Sequence, residues 1–283
     1  MIQVLVTAKD GQLAQCIQSL TTQYHNFQFV FKSSSDLDIT NKTNIEEVLG
    51  AQSFDYCINC AAYTAVDKAE EEIELADRVN HLGAKLLAES CHSFNVTLIH
   101  ISTDFVFDGK SSKAYLESDN TNPLGVYGIT KLKGEQAISK ALERHFIIRT
   151  SWLYSEFGNN FLKTMLRLAN QRDDIGVVGD QIGSPTYARD LADVILKLME
   201  SKTTNYGVYH YSNEGEVSWY DFAKEIFEVC NSSIKLNKIE TKDYPTPAVR
   251  PKYSIMNTQK ISQLLDLKIP NWKLSLAQAI TNL

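Results

Sequence analysis

Tyr127 and Lys131 stand four residues apart at the end of a stretch that begins at Leu98, after an apolar run leading into Ser102-Thr103-Asp104. The segment from Val126 onward, with Thr130 to Ile138, has the composition of a helix, and on a helix a four-residue spacing puts both side chains on one face. A phenol beside an ammonium has its pKa drawn toward neutrality, so Tyr127 becomes a candidate proton donor or acceptor. The spacing alone is common on helices that do no chemistry. Thr103 gives it weight, because it leaves a short buried strand at Thr97–Ser102, and ligands of open α/β sheets bind outside the carboxyl ends of the strands.

The elements that must position these groups alternate along the chain. Strands are expected at Ile2–Val6, Phe27–Phe31, Phe54–Asn59, Thr97–Ser102 and His145–Arg149, and helices at Gly11–Leu20, Ile45–Leu49, within Ala65–Ser90 and from Val126. That alternation argues for a doubly wound parallel sheet of Rossmann type with right-handed crossovers. The segments after the five strands, Thr7–Gly11, Lys32–Asp38, Asn59–Thr64, Ser102–Asp104 and Thr150–Tyr154, then open on one edge and line one cleft. The first has the position of a pyrophosphate-binding loop at a helix N-terminus, with Gly11 allowing close backbone approach. Ala8 and Ala14 stand where a full glycine fingerprint would have glycine. After the second strand, Lys32 and three serines occupy the point where an NAD-selective fold places an acid, and an ammonium with hydroxyls accepts a 2′-phosphate. This favours NADPH, with NADH the alternative if Asp36 or Asp38 reaches the ribose.

Composition narrows the classes. The 283 residues are 43% hydrophobic and 22% charged with a net charge of −6, which fits a globular chain and gives no electrostatic footprint for nucleic acid or anionic membrane. The N-terminus begins directly as a strand, without a basic flank or cleavage site, so a cytoplasmic location is expected. Five scattered cysteines form no disulfide framework, and Cys57-x-x-Cys60 lacks the second pair a zinc site needs, so no metal is expected. Further on, helices are expected at Phe161–Leu168, Ala188–Met199 and Ser218–Cys230, and a strand at Val208–Tyr211 that rejoins the sheet. Trp219 reads as packing.

Several motifs resemble the dTDP-4-dehydrorhamnose reductase family of extended short-chain dehydrogenase/reductases. They are Leu5-Val6-Thr7 to Gly11-Gln12-Leu13, Asn59-Cys60-Ala61-Ala62-Tyr63-Thr64-Ala65-Val66-Asp67, Ser102-Thr103-Asp104 to Gly109, Tyr127-Gly128-Ile129-Thr130-Lys131, Arg149 to Tyr154, Gly179-Asp180-Gln181 to Thr186 and Arg250-Pro251. The resemblance implies a Rossmann domain at 1–154 with 181–212 and a smaller, discontinuous substrate lobe at 155–180 with 213–283. It implies Thr103, Tyr127 and Lys131 as catalytic: Thr103 on the substrate carbonyl, Tyr127 as proton donor, and Lys131 lowering the tyrosine pKa while holding the nicotinamide ribose. Gly11, Gln12, Leu13, Lys32, Asp38, Ile39, Ala61, Ala62 and Thr64 would join Tyr127 and Lys131 around the cofactor. Val66, Thr103, Asp104, Trp152 and Arg250 would meet the substrate, a nucleotide sugar. Trp152 is equally readable as a core aromatic, and Arg250 as an ion-paired arginine. Phe105 departs from the tyrosine usual in the family. The implied activity is NAD(P)H-dependent reduction of a 4-keto-6-deoxy sugar nucleotide, with a homodimer as a candidate assembly; a non-catalytic binding subunit on the same fold is the alternative, and lacks a need for Thr103, Tyr127 and Lys131 together.

Overall fold

A computed structural model describes residues 1–283. Strands β1 (Ile2–Val6), β2 (Phe27–Phe31), β3 (Tyr56–Asn59), β4 (Thr97–Thr103), β5 (His145–Thr150) and β6 (Gly207–His210) form one parallel sheet in the order β6-β5-β4-β3-β1-β2. The central strands are covered on both faces, which is why β4 and β5 are near-continuous buried runs. Alternation still sorts their side chains. Val4, Val6, Phe146 and Ile148 pack under helices α1 (Gln12–Leu20) and α5 (Ala188–Glu200). Leu5, Cys57, Leu98 and Ile147 pack under α2 (Lys42–Gly50), α3 (Ala84–Ser93) and α4 (Val126–Ala141).

The chain departs from β1 to β2 on one side and to β3 on the other. The loops after β1 and β3 therefore diverge and leave a crevice at this switch point. A separate apolar core gathers Leu162, Met165, Phe222, Ile226, Trp272 and Leu276 beside a parallel pair of strands, Asp174–Val178 and Lys235–Ile239. The expected final strand is present at the sheet edge, paired with β5.

One expectation needs correction. The stretch 65–90 is not one helix: it is divided into Val66–Ala69, Ile73–Asp77 and a π-helical turn at Arg78–Gly83 that runs into α3. The wider turn lets the Asn80 side chain bond in both directions with the backbone of Tyr63, through Oδ1 to its N–H (2.9 Å) and Nδ2 to its carbonyl (3.0 Å). No helix of the chain is long and apolar enough to cross a membrane.

Candidate active site

Thr103 is the last residue of β4, and its hydroxyl accepts from the Phe105 N–H (3.1 Å) while donating to Asp104 Oδ1 (3.0 Å). The same residue faces Tyr127 from across the gap to α4. Gly128 permits that approach, since a Cβ there would stand 2.2 Å from the Phe105 carbonyl oxygen. On the other side of α4, Gly134 lies against the Asn80 carbonyl, where a Cβ would stand 2.2 Å away. Two glycines on one helix thus seat Tyr127 against the exit of β4 and the π turn. Phe105 packs edge-on against the Tyr127 ring at 5.5 Å, an apolar wall beside the phenol.

Burial pushes the Tyr127 phenol up to about 12; the Thr103 hydroxyl lowers it and the Asp104 carboxylate raises it. Burial likewise brings the Lys131 amine down to about 8 against the pull of Glu135. The expected depression of the tyrosine pKa by Lys131 is not met in this arrangement. The amine donates to the Ile101 carbonyl (2.7 Å) and lies 3.3 Å from His100 Nε2. Asp104 is itself almost wholly buried, pushed up to about 6 by burial, and its Oδ2 has no well-directed hydrogen bond although Ser254 lies close.

Under the cleft, a polar chain that sequence reasoning missed crosses the sheet. Thr7 Oγ1 donates to Asn59 Oδ1 (2.8 Å), and Asn59 Nδ2 donates to His100 Nδ1 (3.0 Å). The available signal was a histidine in an otherwise apolar strand, which must be hydrogen-bonded when buried. Below Lys131, Glu135 receives a two-pronged ion pair from Arg149 (2.7 and 3.0 Å), both nearly fully buried.

The remaining expected residues divide into groups. Gly11 precedes α1, which has neither a side-chain cap nor an acidic first turn, so the amides of Gln12 and Leu13 are available to a pyrophosphate, while the Gly11 N–H donates to the Ala8 carbonyl (2.9 Å). The side chains go elsewhere: Gln12 accepts from Ser155 and Asn160 (3.1 and 2.9 Å), and Leu13 is buried in the core. Ala8 occupies the left-handed region at φ 52°, the conformation a glycine would supply. At the end of β2, Asp36 is held down to about 2 by the Ser33 hydroxyl and amide and by Lys9, leaving Lys32 clear of that cluster. Asp38 folds back on Thr40 (2.8 Å), and Ile39 belongs to the core. Ala61, Ala62 and Thr64 form the far lip of the crevice, and Val66 starts the short helix after them.

Arg250 is ion-paired: it makes two hydrogen bonds to Asp67 (2.9 and 2.7 Å) and one each to Thr246 Oγ1 and the Ala248 carbonyl. With Asp67, Arg172, Phe161, Trp219 and Tyr244 it lines a cavity of about 740 Å³. Trp152, at φ 48°, stacks on Trp219 with ring centroids 3.5 Å apart, and a Cβ at Gly183 would enter its ring. Trp219, expected only to pack, is the member of the pair that lines the cavity.

A family model described as the RmlD substrate binding domain matches residues 2–283. A dTDP-4-dehydrorhamnose reductase of Aggregatibacter actinomycetemcomitans is 41% identical over 98% of this chain and 97% of its own length. One of Escherichia coli K12 is 38% identical over 99% and 97%. A crystal structure of dTDP-4-dehydrorhamnose reductase from Bacillus anthracis in complex with NADP superposes with a TM-score of 0.96 at 39% identity, over 100% of both chains.

Proposed function

This chain belongs to the RmlD substrate-binding-domain family, and from that premise we propose that it reduces the C4 ketone of dTDP-4-dehydrorhamnose to the alcohol of dTDP-L-rhamnose. The cofactor is NADPH, in keeping with the NADP held by the Bacillus anthracis relative; when bound, it supplies the hydride. The observation that carries the reading is the Thr103 and Tyr127 pair at the exit of β4, with a phenol that keeps its proton at neutral pH.

Several features support a dinucleotide in the crevice. Uncapped amides at the start of α1 suit a pyrophosphate, and Lys32, clear of the Asp36 carboxylate that Lys9 engages, gives the far end of the crevice an ammonium for a 2′-phosphate. Thr103 would orient the substrate carbonyl by turning its one hydroxyl hydrogen from Asp104 Oδ1 to the ketone oxygen. Tyr127 then supplies the proton: its O–H bond breaks as the oxygen gains charge, and the new alcohol O–H forms. A phenol well above neutrality suits a donor to an alkoxide, which is more basic still. The phenolate left behind regains a proton from solvent. Lys131, one helical turn along, would hold the nicotinamide ribose once its amine turns from the Ile101 carbonyl toward the cleft. Arg250, fixed by Asp67, retains donors for the nucleotide end of the substrate at the cavity lined by Trp219.

The test is a coupled measurement with dTDP-4-dehydrorhamnose. NADPH oxidation should proceed in one-to-one ratio with formation of dTDP-L-rhamnose, identified by NMR of the product. Binding of NADPH without any turnover would favour a non-catalytic subunit instead.

A further inference from the structure

We propose that Asn160 is a positioning residue that ties the helix Phe161–Ala169 to Gln12 of α1, so that a dinucleotide on α1 and a nucleotide in the cavity lined by Trp219 tighten each other's binding. The segment 155–160 runs between the two apolar cores. Phe157 packs on the core beneath α1, while Leu162 and Met165 belong to the other. On the way the segment closes over the Gln12 side chain: Gly158, at φ 61°, lies so near that a Cβ there would stand 2.9 Å from Gln12 Cγ.

The orientation of both amides follows from their neighbours. Asn160 accepts from the Lys163 N–H (3.1 Å), which only its oxygen can do, and this bond caps the helix. Its NH₂ then faces three acceptors, the Ser155 carbonyl (2.7 Å), Gln12 Oε1 (2.9 Å) and the Phe157 carbonyl (3.2 Å), and shares two hydrogens among them. Turning the Gln12 amide over would set NH₂ against NH₂, donor against donor. The Gln12 oxygen therefore meets Asn160, with the Ser155 hydroxyl at 3.1 Å on the same atom.

One side chain thus holds an element of each site. Gln12 is the first residue of α1, and its N–H is one of the amides open to a pyrophosphate. The helix that Asn160 caps contributes Phe161, Thr164, Met165 and Leu168 to the cavity wall. A cofactor that fixes the Gln12 backbone also narrows the motion of its side chain, of Asn160 and of the first turn of that helix. A nucleotide entering the cavity then has less of the turn left to order, which is positive coupling without a change of shape. Linkage makes the effect reciprocal. The coupling to the cavity rests on the nucleotide-sugar reading; the bridge from Gln12 to the helix does not.

Amide exchange followed by NMR tests the bridge without substrate, since the Lys163 N–H is bonded to Asn160 itself. Saturating NADPH should slow that amide about 5-fold or more in the wild type. Gln12→Met keeps the side-chain length and the backbone N–H but removes the acceptor, so NADPH should still bind and the slowing should vanish. Asn160→Ser still caps a helix but has no NH₂, and should share that loss. Gln12→Glu keeps an acceptor and sets a charge beside the pyrophosphate; it should bind NADPH more weakly yet retain the slowing at saturation. A merely structural bond would change the exchange rate of the free protein and leave the NADPH-dependent increment as it was. Calorimetry with dTDP extends the test to the cavity, because dTDP lacks the sugar that would touch the nicotinamide and any mutual tightening must pass through the protein. Its affinity should rise about 5-fold or more with NADPH bound in the wild type and in Gln12→Glu, and change by less than about 2-fold in Gln12→Met. Absence of slowing at Lys163 in the wild type, equal slowing in Gln12→Met, or dTDP binding indifferent to NADPH overturns the proposal. Failure of dTDP to bind at all, with the slowing present in the wild type and lost in Gln12→Met, would count against the nucleotide-sugar reading and leave the bridge standing.

Discussion

Tyr127 and Asp104 are two acids in one buried site whose ordinary values are moved upward by the same cause, and they differ in consequence. For Tyr127, burial preserves the proton that reduction needs. Tyr127→Phe should lower kcat by about 10²–10⁴-fold while NADPH titrations stay near those of the wild type, because the ring still packs on Phe105; near-normal turnover would remove Tyr127 from the chemistry. For Asp104, burial makes the ionised form costly. Its folded pKa, about 6, lies above that of an unfolded aspartate, so the folded state binds the extra proton between about pH 4 and 6 and loses stability as pH rises through that window. Asp104→Asn should therefore unfold at higher urea than the wild type at pH 8, by about 2–3 kcal/mol, with the difference shrinking toward zero near pH 4. A constant difference across that range would mean that the carboxylate is not charged at a cost. The Tyr127 and Lys131 spacing and the Thr103 exit were legible in sequence because they obey helix and strand periods. The turn of Lys131 toward His100 was not, since it depends on which acceptor is nearest across two elements.

At the scale of elements, α4 is the piece whose fit decides the site. Gly128 faces the Phe105 carbonyl so closely that Gly128→Ala must push the helix and Tyr127 away from Thr103. A loss of about 1–3 kcal/mol of stability and a fall in kcat larger than any rise in KM are expected, and urea unfolding with steady-state kinetics would check both. The loop after β1 offers the opposite case. Ala8 at φ 52° carries a cost that glycine lacks, so Ala8→Gly should raise Tm by an amount equivalent to about 1 kcal/mol. A lower Tm would show that the methyl packs well enough to outweigh its conformation. The six sheet strands could be read from composition because buried parallel strands are short apolar runs bounded by polar exits. The breaks within 65–90 could not: a π turn keeps the helical spacing of apolar residues, and only the bonds from Asn80 to Tyr63 reveal why the turn widens.

For the whole molecule, the informative contact joins positions far apart in the chain. Asp67 follows β3, and Arg250 lies in the C-terminal segment beside Pro251, which packs on Gly109 a few residues beyond Thr103. Sequence left Arg250 open between a phosphate ligand and an ion pair, since nothing local identifies a partner 183 residues away. The structure places Asp67 there, and the pairing has two expected effects of different size. Both side chains are partly exposed, 24% for Arg250 and 39% for Asp67, so the pair contributes no more than about 1 kcal/mol to stability. The Arg250 guanidinium holds the Asp67 carboxyl below its ordinary value, so that contribution is present at neutral pH and is lost only as pH falls through the lowered pKa. The larger effect should fall on substrate. Asp67 fixes one edge of the guanidinium, and Thr246 with the Ala248 carbonyl engages Nη1, leaving Nε–H and one Nη2–H for the cavity. Asp67→Ala releases that edge and lets the side chain swing. KM for the nucleotide sugar should then rise about 10-fold or more, with kcat and NADPH affinity nearly unchanged, because an interaction formed equally in ground and transition states alters binding alone. Arg250→Lys should behave like Asp67→Ala, since an ammonium cannot bridge the carboxylate and still present a directed edge to a phosphate. If the double variant is no worse than either single one, the two residues act as a unit; if the effects multiply, Arg250 meets the substrate without help from Asp67.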